Sequence, residues 1–231
     1  MKIAILSDIH GNDFALKAVL KEIKKCKVEQ LFILGDIVGY YYNPHKVLDL
    51  LSDWKCEMIR GNHENILKSL LNGDLDFTTV HNLYGSGHKR ALEILSEQQL
   101  NLLLKLPDNK SLEINDSKFF LCHGSPWSSD FYIYPDTKKD ILEKCMDSIH
   151  DFILIGHSHY QFAANLGNQI LINVGSVGQS RQKGGVANWA LVNTVNNSFE
   201  LKSTRYNTIE LEKEISQNDP GNNYLLEILK R

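Results

Sequence analysis

The sequence predicts an α/β protein in which two mixed sheets face each other and helices lie outside. Three observations predict it. The first ~35 residues read strand, helix, strand, a βαβ unit that requires a parallel pair and a right-handed crossover. Residues 65–106 are helical with polar interruptions. The last part is β-rich and carries a second hairpin signal. Two sheets packed together, with helices on their outer faces, bury such a pattern. A length of 231 residues suits one α/β domain with a small insertion, and no repeat, low-complexity stretch or linker divides it.

In chain order, residues 2–7 are an apolar strand that ends in the polar turn Asp8 to Asn12. Phe14, Leu16, Val19, Leu20 and Ile23 recur near helical spacing with lysines opposite, which predicts a helix to Lys25 with Asp13 as its N-cap. Gln30 to Leu34 is strand two, ending at Gly35-Asp36. Ile37 to Tyr42 is an aromatic loop, and Asn43-Pro44 opens a helix to about Ser52, with proline in its first turn. Cys56 to Ile59 is strand three. Leucine-rich groups near 67–71, 91–95 and 100–106 form a helical insertion or cap, looser from Asn72 to Gly87 and closed by Pro107. Ser111–Ile114 and Lys118–Leu121 pair across Asn115-Asp116. A long loop follows from Cys122 to Tyr134, then a helix from Lys138 to Met146 and a strand from Phe152 to Ile155. Phe162–Ala164 and Ile170–Val174 are strands, Gly175–Gly185 is a glycine-rich loop, and Trp189–Val195 pairs with Ser198–Tyr206 across Asn196-Asn197. The tail from Ile209 reads as one or two weak amphipathic helices broken at Pro220-Gly221.

The apolar fraction of 42% and charged fraction of 23% are those of a soluble globular protein. A net charge of −3 excludes a broad basic footprint for nucleic acid, though not a local basic pocket. Cys26, Cys56, Cys122 and Cys145 form no C-x-x-C pair and imply no disulfide framework; reduced thiols fit the cytoplasm. The N-terminal apolar run is too short for a signal-peptide core, and no run approaches the ~20 residues of a membrane span. The expectation is a soluble cytoplasmic protein without a membrane partner. Aromatics near 127–134 and the C-terminal helix are candidate contacts for a homo-oligomer.

Five short strands end abruptly in Asp, Asn or His beside glycine: Asp8-x-His10, Gly35-Asp36, Gly61-Asn62-His63-Glu64, Cys122-His123-Gly124 and Gly156-His157-Ser158-His159. Ligands of α/β sheets bind outside the carboxyl ends of the strands. Asp8, His10, Asp36, Asn62, His123, His157 and His159 are therefore candidate ligands of one metal centre. Asp8 with His10, and His157 with His159, stand two apart, which in an extended strand puts both side chains on one side. Mixed imidazole and carboxylate suits Zn, Fe, Mn, Co or Ni rather than Mg or Ca alone. Seven side chains exceed one tetrahedral ion, whereas two divalent ions sharing a carboxylate use them all. Two ions ~3.5–4 Å apart stabilise the attacking and leaving oxygens of an in-line displacement at phosphorus and make hydroxide near neutral pH. His63 follows Asn62 on the opposite side of the chain. It either assists the leaving alkoxide or supports Asn62.

These five blocks, in this order from residue 8 to residue 159, resemble the calcineurin-like metallophosphoesterase superfamily. The resemblance implies a four-layer α/β/β/α sandwich and a dinuclear centre. One ion would take Asp8, His10, Asp36 and His159; the other Asp36, Asn62, His123 and His157. Asp36 would bridge, and His63 would be the catalytic histidine beside the leaving group. Ser7 to Asn12, Gly35 to Tyr40 and Asn173 to Arg181 look like the small bacterial and archaeal phosphodiesterase or diadenosine-tetraphosphatase-like branch. Relatives there carry Gly and Pro after the position of Tyr40, where this chain has Tyr41-Tyr42-Asn43-Pro44. The activity implied is hydrolysis of a phosphodiester or phosphomonoester, plausibly nucleotide-derived, by a metal-bridging hydroxide. The competing functions are a protein serine/threonine phosphatase and a catalytically silent scaffold of the same fold, and the scaffold should lack a ligand or His63.

Further candidates lie around these blocks. Arg181 sits in the glycine-rich loop, where it binds phosphate or makes a surface ion pair. Asn12 caps a helix or touches substrate, capping being the simpler role. Arg60 is expected to brace a carboxylate behind the ligands. Tyr40, Tyr41 and Tyr42 stack on a nucleobase or cover apolar surface, and the same holds for Trp127, Phe131, Tyr132 and Tyr134. His81 and His88 match no block and are read as surface or cap residues.

Overall fold

The computed structural model describes residues 1–231. The chain runs β1 (Lys2–Leu6), α1 (Asp13–Lys25), β2 (Gln30–Ile33), α2 (Pro44–Ser52) and β3 (Cys56–Met58). Four helices follow: α3 (Asn62–Asn72), α4 (Phe77–Tyr84), α5 (Gly87–Ile94) and α6 (Glu97–Leu104). Then come β4 (Asn109–Ile114), β5 (Ser117–Cys122), α7 (Lys139–Glu143), β6 (Phe152–Ile155), β7 (Gln161–Leu166) and β8 (Gln169–Val174). β9 (Val186–Asn193), β10 (Ser198–Arg205), α8 (Ile209–Asn218) and α9 (Asn223–Ile228) complete it.

Two mixed five-stranded sheets form, in the orders β10-β9-β1-β2-β3 and β4-β5-β6-β8-β7. β1, β2 and β3 are parallel in the first; β5, β6 and β8 are parallel in the second. The antiparallel strands lie outside these triplets. Alternate residues of one strand serve different layers. Ile3, Ile5, Phe32 and Leu34 pack against Phe119, Leu121, Phe152, Leu154 and Ile172 between the sheets. Ala4, Leu6, Leu31 and Ile33 point the other way, into α1, α2, α3 and α6. Ile153, Ile155 and Leu171 face Ile133, Cys145 and Leu142 outside the second sheet. Both faces of the central strands are buried, which is why they read as continuous apolar runs rather than alternating ones. This is the expected sandwich of helix, sheet, sheet and helix.

Local chemistry accounts for the elements, with some departures from expectation. Asn12, not Asp13, caps α1: its side chain accepts from Ala15 N at 3.0 Å, while Asp13 sits inside the helix and pairs with Lys17 at 2.6 Å. The stretch 72–87 holds a formed helix, α4, whose N-cap Asp76 accepts from Thr79 N at 2.8 Å. Asn115 and Asp116 both have positive φ, 49° and 65°, the geometry of a tight two-residue hairpin. The four cysteines are free thiols. No helix is long and apolar enough to cross a membrane.

The tail packs on its own chain. Leu211, Ile215, Leu225 and Ile228 of α8 and α9 bury Tyr41 and Tyr42, so these two tyrosines cover apolar surface and are not available to a nucleobase. Buried Asp219, between α8 and α9, accepts from Tyr42 OH at 2.8 Å, Ser86 N at 3.0 Å and Ser86 Oγ at 2.8 Å. One carboxylate thus ties the tail to the aromatic loop and to the start of α5. Asp219→Ala leaves these donors without an acceptor and should cost about 2–3 kcal/mol in urea unfolding. Limited proteolysis of that variant should then cut first within residues 207–231. Cuts spread evenly along the chain would contradict this tether.

Candidate metal centre

Parallel strands end on one edge, so the polar tips after β1, β2 and β3 meet those after β5 and β6 where the two sheets face each other. The paired residues do not converge by strand alternation, as the sequence suggested. Asp8, His10, Asp36, His157 and His159 all lie in the left-handed region, at φ 54°, 51°, 54°, 62° and 61°. Each strand has ended before its ligands, and a left-handed residue turns the side chain back over the strand end. Asp, Asn and His enter this region more readily than other non-glycine residues. Backbone bonds hold the turns: Asp8 N to Gly35 O at 3.1 Å, His10 N to Asp36 O at 2.8 Å and Gly156 N to His123 O at 2.8 Å.

Each carboxylate commits one oxygen to the backbone. His157 N donates to Asp8 Oδ2 at 3.0 Å, and His63 N donates to Asp36 Oδ1 at 2.9 Å. The other oxygens face imidazoles. Asp8 Oδ1 lies 3.1 Å from His159 Nε2 and 3.8 Å from His10 Nε2. Asp36 Oδ2 lies between two histidines, 3.2 Å from His123 Nε2 and 3.7 Å from His10 Nε2. Asn62 Oδ1 is 3.0 Å from His123 Nε2.

The outer nitrogens fix what the inner ones present. His10 Nδ1 donates to Val38 O at 2.9 Å, His123 Nδ1 to Leu34 O at 2.6 Å and His159 Nδ1 to Gln179 O at 2.8 Å. In a neutral ring the remaining Nε2 then carries a lone pair. His10 Nε2 and His159 Nε2 stand 3.1 Å apart. His157 Nε2 is buried with no partner, as is Asp8 Oδ1. Lone pairs and carboxylate oxygens converging in a buried space repel one another unless a cation sits among them. Three sets offer ligand atoms within 4.8 Å of one another: Asp8, His10 and His159; Asp36, His123 and His157; and His10, Asp36 and His63. The donor set therefore fits divalent metal.

The proton affinities follow the same field. Burial works against it, yet His159, His123 and His10 hold the Asp8 carboxyl well below its usual range. Burial raises Asp36 even with His123 beside it. Burial and the neighbouring histidines push His10 well down, and burial with His123 brings His157 to about 3. His123 alone moves up, because Asp36 and Asp8 outweigh its desolvation.

His63 is buried at the rim of the cluster, one ring nitrogen within 4.8 Å of ligand atoms of His10 and Asp36. Its ring packs edge-on to His10 at 4.7 Å and lies 5.1 Å from Tyr40 and 4.8 Å from Tyr84. Its Nδ1 lies 3.2 Å from His88 Nε2. His88 is thus a residue of the insertion, as expected, but not a surface one: it is buried in the site, whereas the His81 side chain is 55% exposed and stays outside. No spacing in the sequence joins His88 to the strand-end blocks, since it arrives on a helix of the insertion.

Glu64 also escaped the sequence reading, although it stands three residues after Gly61 as the acid of a capping box does. Its carboxylate accepts from Asp36 N and Ile37 N at 2.8 Å, Val38 N at 3.1 Å and Gly61 N at 2.9 Å.

The remaining candidates divide. Arg181 lies over Tyr132, its Cζ 6.0 Å from the ring centroid. Its Nε is buried without a partner, and the neutral rings of Tyr40, Tyr132, Tyr134 and Tyr224 surround it, with no carboxylate paired to it. Tyr132 stacks on His157 at 3.9 Å, and Tyr40 meets His10 edge-on at 4.7 Å, so both rings line the centre. Asn12 is fully used inside the protein, donating to Gly178 O at 2.8 Å besides capping α1. Arg60 pairs with Asp108, whose side chain is 63% exposed, and not with a carboxylate behind the ligands. The glycines of the 175–185 loop serve internal packing: a Cβ on Gly178 would overlap Ile9 O, and one on Gly184 would overlap Leu229 O. A cleft of about 440 Å³, lined by Arg60, Asn65, Trp127 and Ser128, opens against His123.

Buried imidazoles and carboxylates at the ends of two facing sheets define a metal-dependent hydrolase. Residues 1–197 match the calcineurin-like phosphoesterase superfamily domain, and the chain belongs to that family. It is a metal-dependent phosphoesterase. It is 30% identical to "Uncharacterized protein MJ0912" of Methanocaldococcus jannaschii over 94% of this chain and 92% of that protein. Two crystal structures share the fold at 22% identity. Protein PH1004 of Pyrococcus horikoshii OT3 has a TM-score of 0.84, over 100% of this chain and 98% of that one. A metallophosphoesterase of Sphaerobacter thermophilus has 0.81, over 99% and 98%.

Glu64→Gln presents one amide NH₂ to backbone N–H groups that had an acceptor. It should lower stability by about 2–4 kcal/mol, read as a fall in urea midpoint at unchanged m-value. A variant as stable as the parent would show that the four amides find other acceptors.

Proposed function

We propose that Asp8, His10, Asp36, Asn62, His123, His157 and His159 hold two divalent transition-metal ions, with Asp36 shared, and that the enzyme hydrolyses a small phosphodiester or phosphomonoester, plausibly nucleotide-derived. The single observation that carries this reading is the set of three histidines whose Nδ1 atoms are spent on carbonyl groups while their Nε2 atoms converge on the free oxygens of Asp8 and Asp36. Such outer hydrogen bonds set tautomer and ring direction in metal-binding histidines. The position of Asp36 Oδ2 between His10 and His123 supports the shared role. Bound ions would supply the positive charge that activates water and stabilises charge developing on the phosphoryl oxygens.

The chain's own groups do the rest. The Arg181 guanidinium, without a carboxylate partner, binds non-bridging phosphoryl oxygens. His63 donates a hydrogen bond to the leaving oxygen. Tyr40, Tyr84 and Tyr132 keep bulk water from the phosphorus and set the width of the opening. The cleft beside His123 takes the group carried by the phosphate, with Trp127, 45% exposed, at its wall. Burial of His63 behind Tyr84 and His88 of the insertion favours a small ester over a phosphoprotein. All ligand positions and His63 are present, which favours catalysis over a silent scaffold.

Metal-reconstituted protein should turn over at least one of bis-p-nitrophenyl phosphate, p-nitrophenyl phosphate and diadenosine tetraphosphate with Mn²⁺, and none with chelator. Elemental analysis should find two ions per chain. His63→Ala should lower kcat about 10²–10⁴-fold, and Arg181→Ala should raise KM about 10–100-fold, as loss of a charge-assisted hydrogen bond does. Full metal content with no turnover would overturn this function; a single ion per chain would overturn the shared Asp36.

The raised proton affinity of His123 adds a pH dependence. The Asp36 and Asp8 charges beside His123 favour a proton on this pair, and metal competes with that proton. Apparent affinity should therefore fall as pH falls, by about tenfold per unit for one displaced proton. Titration calorimetry in buffers of different ionisation enthalpy should show proton release on metal uptake at pH 7. No release would mean that His123 is already neutral.

A further inference from the structure

His88 serves none of the roles described so far. It is 1% exposed, on α5 of the helical insertion, and it reaches His63, whose Nδ1 is bonded to no carbonyl oxygen. His63 Nδ1 and His88 Nε2 are 3.2 Å apart with the ring planes within 11° of parallel. We propose that His88 is the positioning residue of His63: its Nε2–H donates to His63 Nδ1, which keeps the proton of His63 on Nε2, the ring edge left for the leaving oxygen. This rests on the phosphoesterase reading above and names the device that makes His63 a donor.

The direction of the hydrogen bond follows from what surrounds His88. Its Nδ1 is buried with no partner. With the proton on His88 Nε2, Nδ1 is an unpaired acceptor. With the opposite direction, His88 Nδ1 would carry a buried N–H with nothing to receive it. Orphaned buried N–H groups are the rarer and costlier of the two. A neutral ring has one N–H and one lone pair, so a donor at His63 Nδ1 fixes the proton on its Nε2.

Positioning requires that His88 be held in place. Asp219 accepts from Ser86 N and Oγ just before α5. Gly87 is pressed on the loop that carries Tyr40: a Cβ there would lie 2.7 Å from Tyr40 C and 2.8 Å from Gly39 O, so only glycine allows the approach. The same loop passes so close to His63 that a Cβ on Gly39 would overlap its Nδ1. Tyr84 closes the far side, 5.9 Å from His88 and 4.8 Å from His63.

The test uses His88→Phe, which keeps an aromatic ring but no donor, and His88→Gln, whose amide restores an N–H near Nε2. Phosphate diesters with p-nitrophenyl and with alkyl leaving groups are compared on Mn²⁺-loaded protein, with metal content measured. Aryloxide leaves without a proton, whereas alkoxide needs a donor. His88→Phe should lower kcat for the alkyl ester about 10–100-fold and for the aryl ester less than about 3-fold, with KM unchanged. His88→Gln should recover most of the loss. An equal fall for both esters, or none for either, would overturn the proposal. ¹⁵N spectra of histidine-labelled, metal-free protein give an answer independent of turnover. His63 should show a protonated Nε2 and an unprotonated, hydrogen-bonded Nδ1, and should become a tautomer mixture in His88→Phe. A protonated Nδ1 in the parent would overturn the proposal even if the protein is a phosphoesterase. Absence of turnover in the parent, with the tautomer as stated, would overturn the phosphoesterase reading alone.

Discussion

Glu64 has no exposed surface, and its two oxygens receive four backbone N–H groups from two strand ends. A carboxylate buried alone costs several kcal/mol; one that replaces its hydration by four amides does not. The consequences spread through the centre. Asp36, Ile37 and Val38 must follow one path, because all three donate to the same group. That path places Val38 O to receive His10 Nδ1, and it aims Asp36 so that Oδ1 takes the amide of His63. Gly61 N is fixed by the same carboxylate, so α3 starts with Asn62 and His63 already beside the cluster. Its N-terminus, with partial positive charge, points toward the carboxylates it serves. His10, Asp36, Asn62 and His63 thus all depend on a carboxylate that is spent entirely on backbone N–H groups.

The strand ends carry conformational cost as well. Asp8, His10, Asp36, His157 and His159 are all left-handed, each of order 1 kcal/mol or more above an extended residue. Their side chains bring like lone pairs to within 3.1 Å of one another. A chain selected only for stability would place glycines and apolar residues there. Such a concentration of unfavourable choices is sustained by its surroundings: the apolar layer between the sheets below, the carbonyls of Val38, Leu34 and Gln179 behind the rings, and the amides of His63 and His157 behind the carboxylates. Local strain with global support is the mark of a functional site, and here a bound cation would relieve the repulsion that the fold imposes.

Much of this could be read from residue order. Strands buried on both faces show as apolar runs, and a run broken by Asp, Asn or His beside glycine has no packing reason to break there. That pattern located Asp8, His10, Asp36, Asn62, His63, His123, His157 and His159, and the structure brings them together. What could not be read depends on backbone direction or on contacts across the fold. The i and i+2 spacing suggested alternation in a strand, whereas left-handed turns make the convergence. For Tyr41 and Tyr42 the sequence left base stacking and apolar cover both open, because nothing in it says that α8 and α9 return to cover them. Arg60 and Asn12 carry polar groups whose partners, Asp108 and Gly178 O, are set by tertiary packing. His88 is a lone histidine in a helical stretch, and a periodic pattern offers no reason to connect it with His63.

The insertion therefore has a place in the site that its leucine-rich composition conceals. Leu67, Leu103 and Leu106 belong to the core shared with α1 and α2, which fixes the insertion as a wall rather than a mobile appendage. From that wall Tyr84 and His88 enclose His63. The wall is tied at Ser86, through Asp219, to a tail that also buries Tyr41 and Tyr42 behind Tyr40. Tyr40 in turn meets His10. The site is thus closed on one side by a circuit from insertion to tail to aromatic loop, each joined by a buried contact. The opposite side, at Arg181, Tyr132 and the cleft beside His123, has no such closure. In the proposed reading substrate approaches from there, with its phosphate toward Arg181 and its leaving oxygen toward His63.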